Sequence, residues 1–144
     1  MTETIWHSPV DLEHITAIGK DCANGHMGIE LLEAGPDYLK ARMPVDHRTK
    51  QPMGLLHGGA SVVLAETLAS IGGNCVLDKS KQACVGQEIN ANHIRSARSG
   101  WVYGVSRPMH IGQRTQVWET HITDEKDRLV CVSRMTLAVI DLPA

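Results

Sequence analysis

One nearly continuous apolar segment, residues 58–73 with the sequence GGASVVLAETLASIGG, most constrains what this chain can fold into. Its apolar residues fall on nearly every helical direction, so it predicts a buried helix with no solvent-facing side. Glu66 stands in the middle of this segment. Because burying an unpaired carboxylate costs several kcal/mol, we predict a chemical role for Glu66. A structural ion pair or a carboxyl at a wet subunit interface is the alternative.

The length of 144 residues fits one domain, predicted here over residues 1–144. The net charge is −2 and no run of like charge occurs, so we expect neither nucleic-acid nor membrane partners. The N-terminus contains acids and lacks the basic and apolar regions of a signal peptide. No apolar run is long enough to span a membrane, so we expect a cytoplasmic location.

Four cysteines and eight histidines are present, but their spacing matches no metal site. The cysteines form no C-x-x-C pair, and the histidines form neither H-x-H nor H-x-x-x-H. We therefore expect free, mostly buried thiols. We also expect no metal and no other cofactor.

The order of the predicted elements indicates an α+β fold. A short helix is predicted over 9–20, and a β-hairpin over 28–45 around the turn Gly35-Pro36-Asp37. The apolar helix extends to about residue 77, and period-two alternation then predicts strands at 83–94, 100–110, 113–123 and 129–140. We expect these four strands to form an antiparallel meander whose concave face covers the helix.

His57, Gly58 and Gly59 stand where the loop before the long helix becomes helical. Free backbone amides and the positive end of the helix dipole favour a developing negative charge, such as that on a thioester or ester carbonyl oxygen under attack. This position predicts an oxyanion site at Gly58. A capped turn that only packs closely is the alternative.

Glu66 follows Gly58 by eight residues, which is about 12 Å along one helix. One carbonyl group cannot contact both residues of the same helix. If both act on the same bond, they come from different subunits, with two such helices antiparallel across a two-fold axis. The spacing therefore predicts an obligate homodimer with two shared sites.

Two further polar residues lie close to these in the sequence. Ser70 is four residues beyond Glu66 on the same helical face, where its hydroxyl can reach the carboxylate or bond back to its own helix. Gln51, in the loop before the helix, is a candidate to orient substrate or water, or an exposed loop amide. The chain has no G-x-S-x-G motif, which argues against a serine hydrolase.

The predicted strand 83–94 is unusually polar, with Glu88, Asn90 and Asn92 in alternation, and Arg95 follows at its exit. Arginine and serine at a strand exit suit phosphate groups. A solvated charged surface is the alternative interpretation.

Three segments carry a resemblance to a known family: QPMGLLHGGASVVLAE at 51–66, GQEINANHIRS at 86–96 and PMHIGQRTQVWE at 108–119. With these, the chain resembles the hotdog-fold acyl-CoA thioesterases of the PaaI-like group. That family implies an antiparallel sheet wrapped around a long central helix. By resemblance, Glu66 acts on the thioester carbonyl as nucleophile or through water, the Gly58 amide polarises that carbonyl, and Gln51, His57 and Ser70 complete the catalytic set.

The same resemblance implies a substrate-binding set and partners. His93, Arg95, Ser96 and Arg98 are expected near the pantetheine or nucleotide arm of an acyl-CoA or aroyl-CoA. The acyl pocket is expected to depend on two residues, Met53 (where the family commonly has phenylalanine) and Ile71. A homodimer assembled into a dimer of dimers is expected. A carrier-protein thioesterase, a non-catalytic acyl-CoA-binding module and a hydratase are the alternative functions.

Overall fold

The computed structural model describes residues 3–144, so the first two residues of the predicted domain lie outside the described part. Three helices and six strands follow one another along the chain. In order they are α1 (Leu12–Gly19), α2 (Ala23–His26), β1 (Glu30–Ala34), β2 (Leu39–Pro44), α3 (Gly58–Cys75), β3 (Gln82–His93), β4 (Trp101–Ile111), β5 (Thr115–Thr123) and β6 (Leu129–Asp141). The predicted hairpin, long helix and four strands are confirmed, whereas α2 was not predicted.

The six strands form one antiparallel sheet in the order β1-β2-β4-β5-β6-β3. The predicted meander of the last four strands is therefore wrong, because β3 pairs with β6 at the far edge and β4 pairs with β2. The reason lies in α3, whose 18 residues extend about 27 Å. At about 4.8 Å per strand, that length carries the chain across the sheet before β3 begins.

The inner face of α3 packs on the concave side of the sheet. Leu64 and Leu68 are fully buried there, and Ala65 and Ala69 are nearly so. Gly104 of β4 lies directly beneath them, since a Cβ at that position would come within 2.9 Å of Leu68 Cδ1. The sheet thus curves around the helix, and the predicted α+β hotdog arrangement is confirmed.

The outer face of α3 is not covered by the chain. Val63, Glu66, Thr67, Ser70 and Ile71 are all half-exposed. The prediction of a helix without a solvent-facing side is therefore wrong for the single chain. An apolar composition indicates that a surface tends to leave water, but it does not distinguish burial within the chain from burial against another molecule.

The N-terminal segment is fixed across the sheet and leads into α1. Trp6 Nε1 donates a 2.7 Å hydrogen bond to the carbonyl of Gly35, and its ring stacks on Trp118 at a centroid distance of 6.3 Å and an interplanar angle of 14°. The Asp11 carboxylate then caps α1 by accepting from the His14 amide at 3.0 Å. This cap explains why the helix begins at Leu12 rather than at residue 9.

All four cysteines are free, as predicted, and only Cys22 among them is exposed. Burial raises the pKa of the Cys84 thiol to about 11 and also raises the pKa values of the Cys75 and Cys131 thiols. These three thiols are therefore protonated at neutral pH and pack as small apolar groups. Over residues 3–144, no helix has the length and apolar character needed to cross a membrane.

Candidate active site

Glu66 opens onto a groove of about 440 Å³ between α1 and the outer face of α3, called here the Glu66 groove. Ser70 and Ile71 line the same groove, so three of the predicted site residues lie together. A Cβ at Gly86 of β3 would come within 3.0 Å of Glu66 Oε1, so this glycine allows the carboxylate to approach the strand. Gly86 lies beside a register shift in the pairing of β3 with β6.

The Glu66 carboxylate is not neutralised by its own chain. Across residues 3–144, no basic side chain forms an ion pair with it. No hydrogen bond joins Ser70 to Glu66 within this range, so the predicted contact of the hydroxyl with the carboxylate does not form in the single chain. Both side chains thus remain available to a molecule in the groove.

The N-terminus of α3 opens onto a second space of about 280 Å³, called here the Gly58 cleft. It is lined by Gln51, Gly58, His93, Arg95 and Ser96, which unites five more of the predicted residues. A Cβ at Gly58 would come within 2.7 Å of His93 Nε2, so the imidazole lies directly over the glycine. A side chain at position 58 would therefore displace the His93 imidazole from this position.

His57 caps α3 with its own side chain. Its Nδ1 accepts a 2.8 Å hydrogen bond from the amide of Gly59, so Nδ1 carries no proton in this arrangement. The carbonyl of His57 accepts from the amides of Ala60 and Ser61. Within residues 3–144 the amide of Gly58 has no acceptor, and Gly58 lines the cleft.

Gln51 begins a tight turn whose geometry depends on Gly54 at a φ of 80°. Its side-chain oxygen accepts from the amide of Met53, and its backbone carbonyl accepts from Gly54 at 2.9 Å. With the oxygen occupied, the side-chain nitrogen of Gln51 remains as a donor at the edge of the Gly58 cleft.

The loop that carries Gln51 and His57 is held by buried and charged contacts. Thr49 is buried and donates through Oγ1 to the carbonyl of Pro44 at 2.6 Å, and its carbonyl accepts from the His57 amide at 2.8 Å. Hydrogen bonds from the Arg48 guanidinium lower the pKa of the Asp46 carboxyl to about 2. The catalytic candidates therefore stand on a fixed loop.

Three predicted residues line neither of these spaces: His57, whose ring caps α3, Met53 and Arg98. Met53 is 78% exposed at the tip of the turn and lines neither the Glu66 groove nor the Gly58 cleft. Arg98 lines a separate cleft of about 310 Å³ with Lys126 and Arg128, which joins the Gly58 cleft only through Ser96. The single chain thus does not form the complete predicted substrate-binding set.

The Glu66 groove and the Gly58 cleft share no lining residue. Both open along α3, and their key residues are about 12 Å apart along its axis. One chain therefore presents two separated halves of the predicted site. One half holds a free carboxylate, and the other holds a free amide with an imidazole above it.

Sequence reasoning missed Val63, Thr67 and Asn24, which all line the Glu66 groove. The first two were detectable, since Val63 precedes Glu66 by three residues and Thr67 precedes Ser70 by three, which places them on the same helical face. Asn24 belongs to a helix of four residues that leaves no periodic signal. Over residues 3–144, no group of three or more His, Cys, Asp or Glu side chains is placed to hold a metal ion.

Comparison with known proteins identifies the family. The thioesterase superfamily pattern matches residues 53–131. The chain is 52% identical over 136 residues to the 1,4-dihydroxy-2-naphthoyl-CoA hydrolase of Escherichia coli, covering 94% of this chain and 99% of that protein. It is 46% identical to the proofreading thioesterase EntH of Cronobacter turicensis over 94% of this chain and 98% of the relative.

A solved structure agrees with these similarities. A mutant thioesterase from Pseudomonas aeruginosa superposes with a TM-score of 0.95 at 43% identity, covering 96% of this chain and 100% of that one. Sequence and fold therefore coincide over almost the whole chain. The chain belongs to the thioesterase superfamily, and it is a thioester hydrolase.

Proposed function

We propose that this protein hydrolyses acyl- or aroyl-CoA thioesters to the free acid and CoA, with 1,4-dihydroxy-2-naphthoyl-CoA as a candidate substrate. Water supplies the oxygen that adds to the carbonyl carbon, the carbon–sulfur bond breaks, and sulfur leaves as the CoA thiol. The observation that carries this proposal is the division of α3 into a free carboxylate at Glu66 and a free amide at Gly58. These are the two groups that attack on a carbonyl requires.

The Gly58 cleft supplies the electrophilic half. The unpaired Gly58 amide at the positive end of α3 stabilises negative charge on the carbonyl oxygen. The donor side of Gln51 orients the thioester, and His93 shields the glycine from bulk water. Arg95, Ser96 and Arg98 extend from this cleft towards the phosphates of CoA, while His57 holds the start of the helix.

Glu66 supplies the other half, from a second copy of the chain. It attacks the carbonyl carbon itself, expelling the CoA thiolate and forming a mixed anhydride that water then hydrolyses, or it removes a proton from a water that attacks the carbonyl carbon, with Ser70 as hydrogen-bond partner of that water. Incorporation of labelled oxygen separates the two routes. In a single turnover in labelled water, label in the enzyme carboxylate identifies attack by Glu66, because it arises when water opens the mixed anhydride at the glutamyl carbon, whereas general-base catalysis puts label only in the product.

The sheet edge supports assembly into a homodimer. β3 is the last strand of the sheet and pairs only with β6, so its outer edge has no partner strand among residues 3–144. A long unpaired edge tends to pair with another chain. Antiparallel pairing of two β3 edges sets two α3 helices side by side and brings Glu66 of one copy towards Gly58 of the other. Met53 and Ile71 then border the shared acyl pocket.

Release of thiol from a panel of acyl-CoA and aroyl-CoA substrates tests the reaction. We expect the wild type to release CoA from at least one aroyl-CoA and the Glu66→Gln variant to lose that release. Normal release by Glu66→Gln would remove Glu66 from the mechanism. No release from any thioester by the wild type would refute the substrate class.

Mixing two inactive variants tests the shared site. Glu66→Gln removes the carboxylate, and Gly58→Val drives a side chain into His93. If each site takes one residue from each chain, refolding the two variants together in equal amounts restores about a quarter of the sites. If both residues act within one chain, every site in the mixture carries a defect and activity stays absent.

A thioester on an aryl carrier protein is the second candidate substrate, because the chain resembles a proofreading thioesterase. Comparing one aroyl group on CoA and on a carrier protein separates the two. We expect the higher kcat/KM for CoA, since the exposed arginines beyond the Gly58 cleft suit its phosphates.

The remaining predictions concern the setting of the enzyme. We propose that residues 1–144 act as one domain, which is supported by the E. coli relative's alignment over 94% of the chain. A cytoplasmic location, assembly into a dimer of dimers and the absence of nucleic-acid and membrane partners stay predictions. Analytical ultracentrifugation tests the dimer of dimers directly.

A further inference from the structure

The Glu66 groove does not end at Glu66. A second cavity of about 300 Å³, called here the α1 cavity, extends beneath α1 towards Trp101 and Arg48. The two spaces share four lining residues, Ile15, Gly19, Asn24 and Thr67. A shared lining means that the groove continues beneath α1. Each volume lies at the size range of small-molecule sites, roughly 300–1,000 Å³.

The residues at this junction divide into two apolar or small ones and two polar ones. Ile15 and the buried Gly19 belong to α1, which forms the roof. Asn24 and Thr67 are half-exposed and carry the hydrogen-bonding groups. Thr67 directly follows Glu66 on α3. A ligand group in contact with Thr67 is therefore next to the residue that carries the proposed catalytic carboxylate.

The position of the Asn24 side chain depends on a glycine. A Cβ at Gly19 would come within 2.5 Å of Asn24 Nδ2, so the amide lies across the end of α1 where any other residue would displace it. The backbone carbonyl of Asn24 accepts from the amide of Ile29 at 3.0 Å, which anchors the residue between α2 and β1. Among residues 3–144, no hydrogen bond uses the Asn24 side-chain amide, so its donors and acceptor are free for a ligand.

We infer that Asn24 and Thr67 are specificity-determining residues that select acyl groups bearing a hydroxyl, an inference that rests on the proposed function. The thioester carbonyl stays at Glu66, and the acyl group extends beneath α1 along Ile15 and Ile71. A hydroxyl on that group donates to or accepts from the Asn24 amide and the Thr67 hydroxyl. An acyl group without a hydroxyl covers these half-exposed side chains and removes them from water without replacing the lost hydrogen bonds, which lowers its kcat/KM.

The test compares benzoyl-CoA with its ortho- and para-hydroxybenzoyl counterparts, which differ only by the hydroxyl. The measured quantity is the ratio of kcat/KM for the better hydroxybenzoyl substrate to that for benzoyl-CoA. For Asn24→Leu we expect this ratio to fall about tenfold, the effect of one hydrogen bond. Thr67→Val, which conserves shape, should lower the same ratio and keeps the test valid if Asn24→Leu folds poorly.

His26→Ala is the matched control, because His26 lies on the same short helix, is exposed, and lines neither space. It should leave the ratio unchanged. An unchanged ratio in both Asn24→Leu and Thr67→Val would overturn the inference. An equal loss of kcat/KM on both substrates is one form of this result, and it indicates a purely structural role.

Binding of the free acids separates this inference from the proposed reaction. Calorimetry should give about tenfold tighter binding of the hydroxybenzoate than of benzoate to the wild type, and Asn24→Leu should abolish that preference. If the wild type hydrolyses no thioester but shows this preference, the reaction fails and the recognition site stands. If it hydrolyses both thioesters but shows no preference that depends on Asn24, the recognition site fails and the reaction stands.

Discussion

The two faces of α3 differ in burial and in polarity although they belong to one continuous helix. The inner face carries Leu64 and Leu68, both fully buried against the sheet. The outer face carries Glu66, Thr67 and Ser70, which are half-exposed and have no charged partner in the described chain. We therefore expect stability to depend on the inner face and the proposed chemistry on the outer face, so changes on the two sides should separate folding from turnover.

The largest effect is expected on the outer face. We expect Glu66→Ala to lower turnover by at least about a thousandfold, because no other carboxylate lines the groove. Its free energy of unfolding should stay within about 0.5 kcal/mol of the wild-type value, since the side chain is unpaired. Thiol release and urea unfolding measure the two quantities. A large loss of stability would contradict the division between the faces.

The inner face should show the reverse. We expect Leu68→Ala to reduce the free energy of unfolding by about 2–5 kcal/mol, because the Leu68 side chain is fully buried against Gly104 and its removal leaves a cavity. The folded fraction should keep a kcat near the wild-type value at low temperature. A variant that unfolds normally but turns over slowly would show that inner packing positions Glu66.

Substitution of His57 tests the start of α3, which is common to the inner and outer faces. We expect His57→Ala to cost about 1 kcal/mol of stability through loss of the bond to the Gly59 amide. Activity should fall much less than in Glu66→Ala, since the Gly58 amide remains. His57→Asn supplies another capping acceptor and should recover the stability. If it recovers stability but not activity, the imidazole itself contacts substrate.

The smallest effect is expected in the loop before α3, which belongs to neither face. The native pKa of Asp46 is lowered to about 2, so its contribution to stability is present above about pH 4 and is lost as the pH falls towards 2. Because its side chain is 34% exposed, we expect less than about 1 kcal/mol. Urea midpoints at several pH values should show this loss in the wild type and not in Asp46→Asn.

The sequence predicted the bounds of the long helix and the strands better than it predicted which strands pair with each other. Alternating residues located β3 to β6 within one or two positions, because side-chain period follows from strand geometry. Pairing depends on where α3 delivers the chain, which local pattern does not contain. The polarity of Glu88, Asn90 and Asn92 was nevertheless a signal for an edge strand, since an edge with one exposed face tolerates polar residues.

The candidate site was predicted in part for a related reason. Ser70 and Ile71 follow Glu66 at helical spacing, so their shared groove follows from geometry. The approach of His93 to Gly58 joins residues 35 positions apart and was not predicted, since the resemblance to a family implied His93 only as a substrate-binding residue. Asn24 reaches the groove because α2 folds back beside Gly19, and four residues carry too little periodicity to reveal this.

The stacking of Trp6 on Trp118 provides an intrinsic fluorescence probe of the segment that leads into α1. Trp6 lies in the segment that leads into α1, whereas Trp118 is fully buried in the sheet. Lifting that segment separates the two indoles and exposes one of them to water, which shifts its fluorescence emission to longer wavelength. Stopped-flow fluorescence of the unlabelled enzyme can therefore test whether this segment moves during turnover.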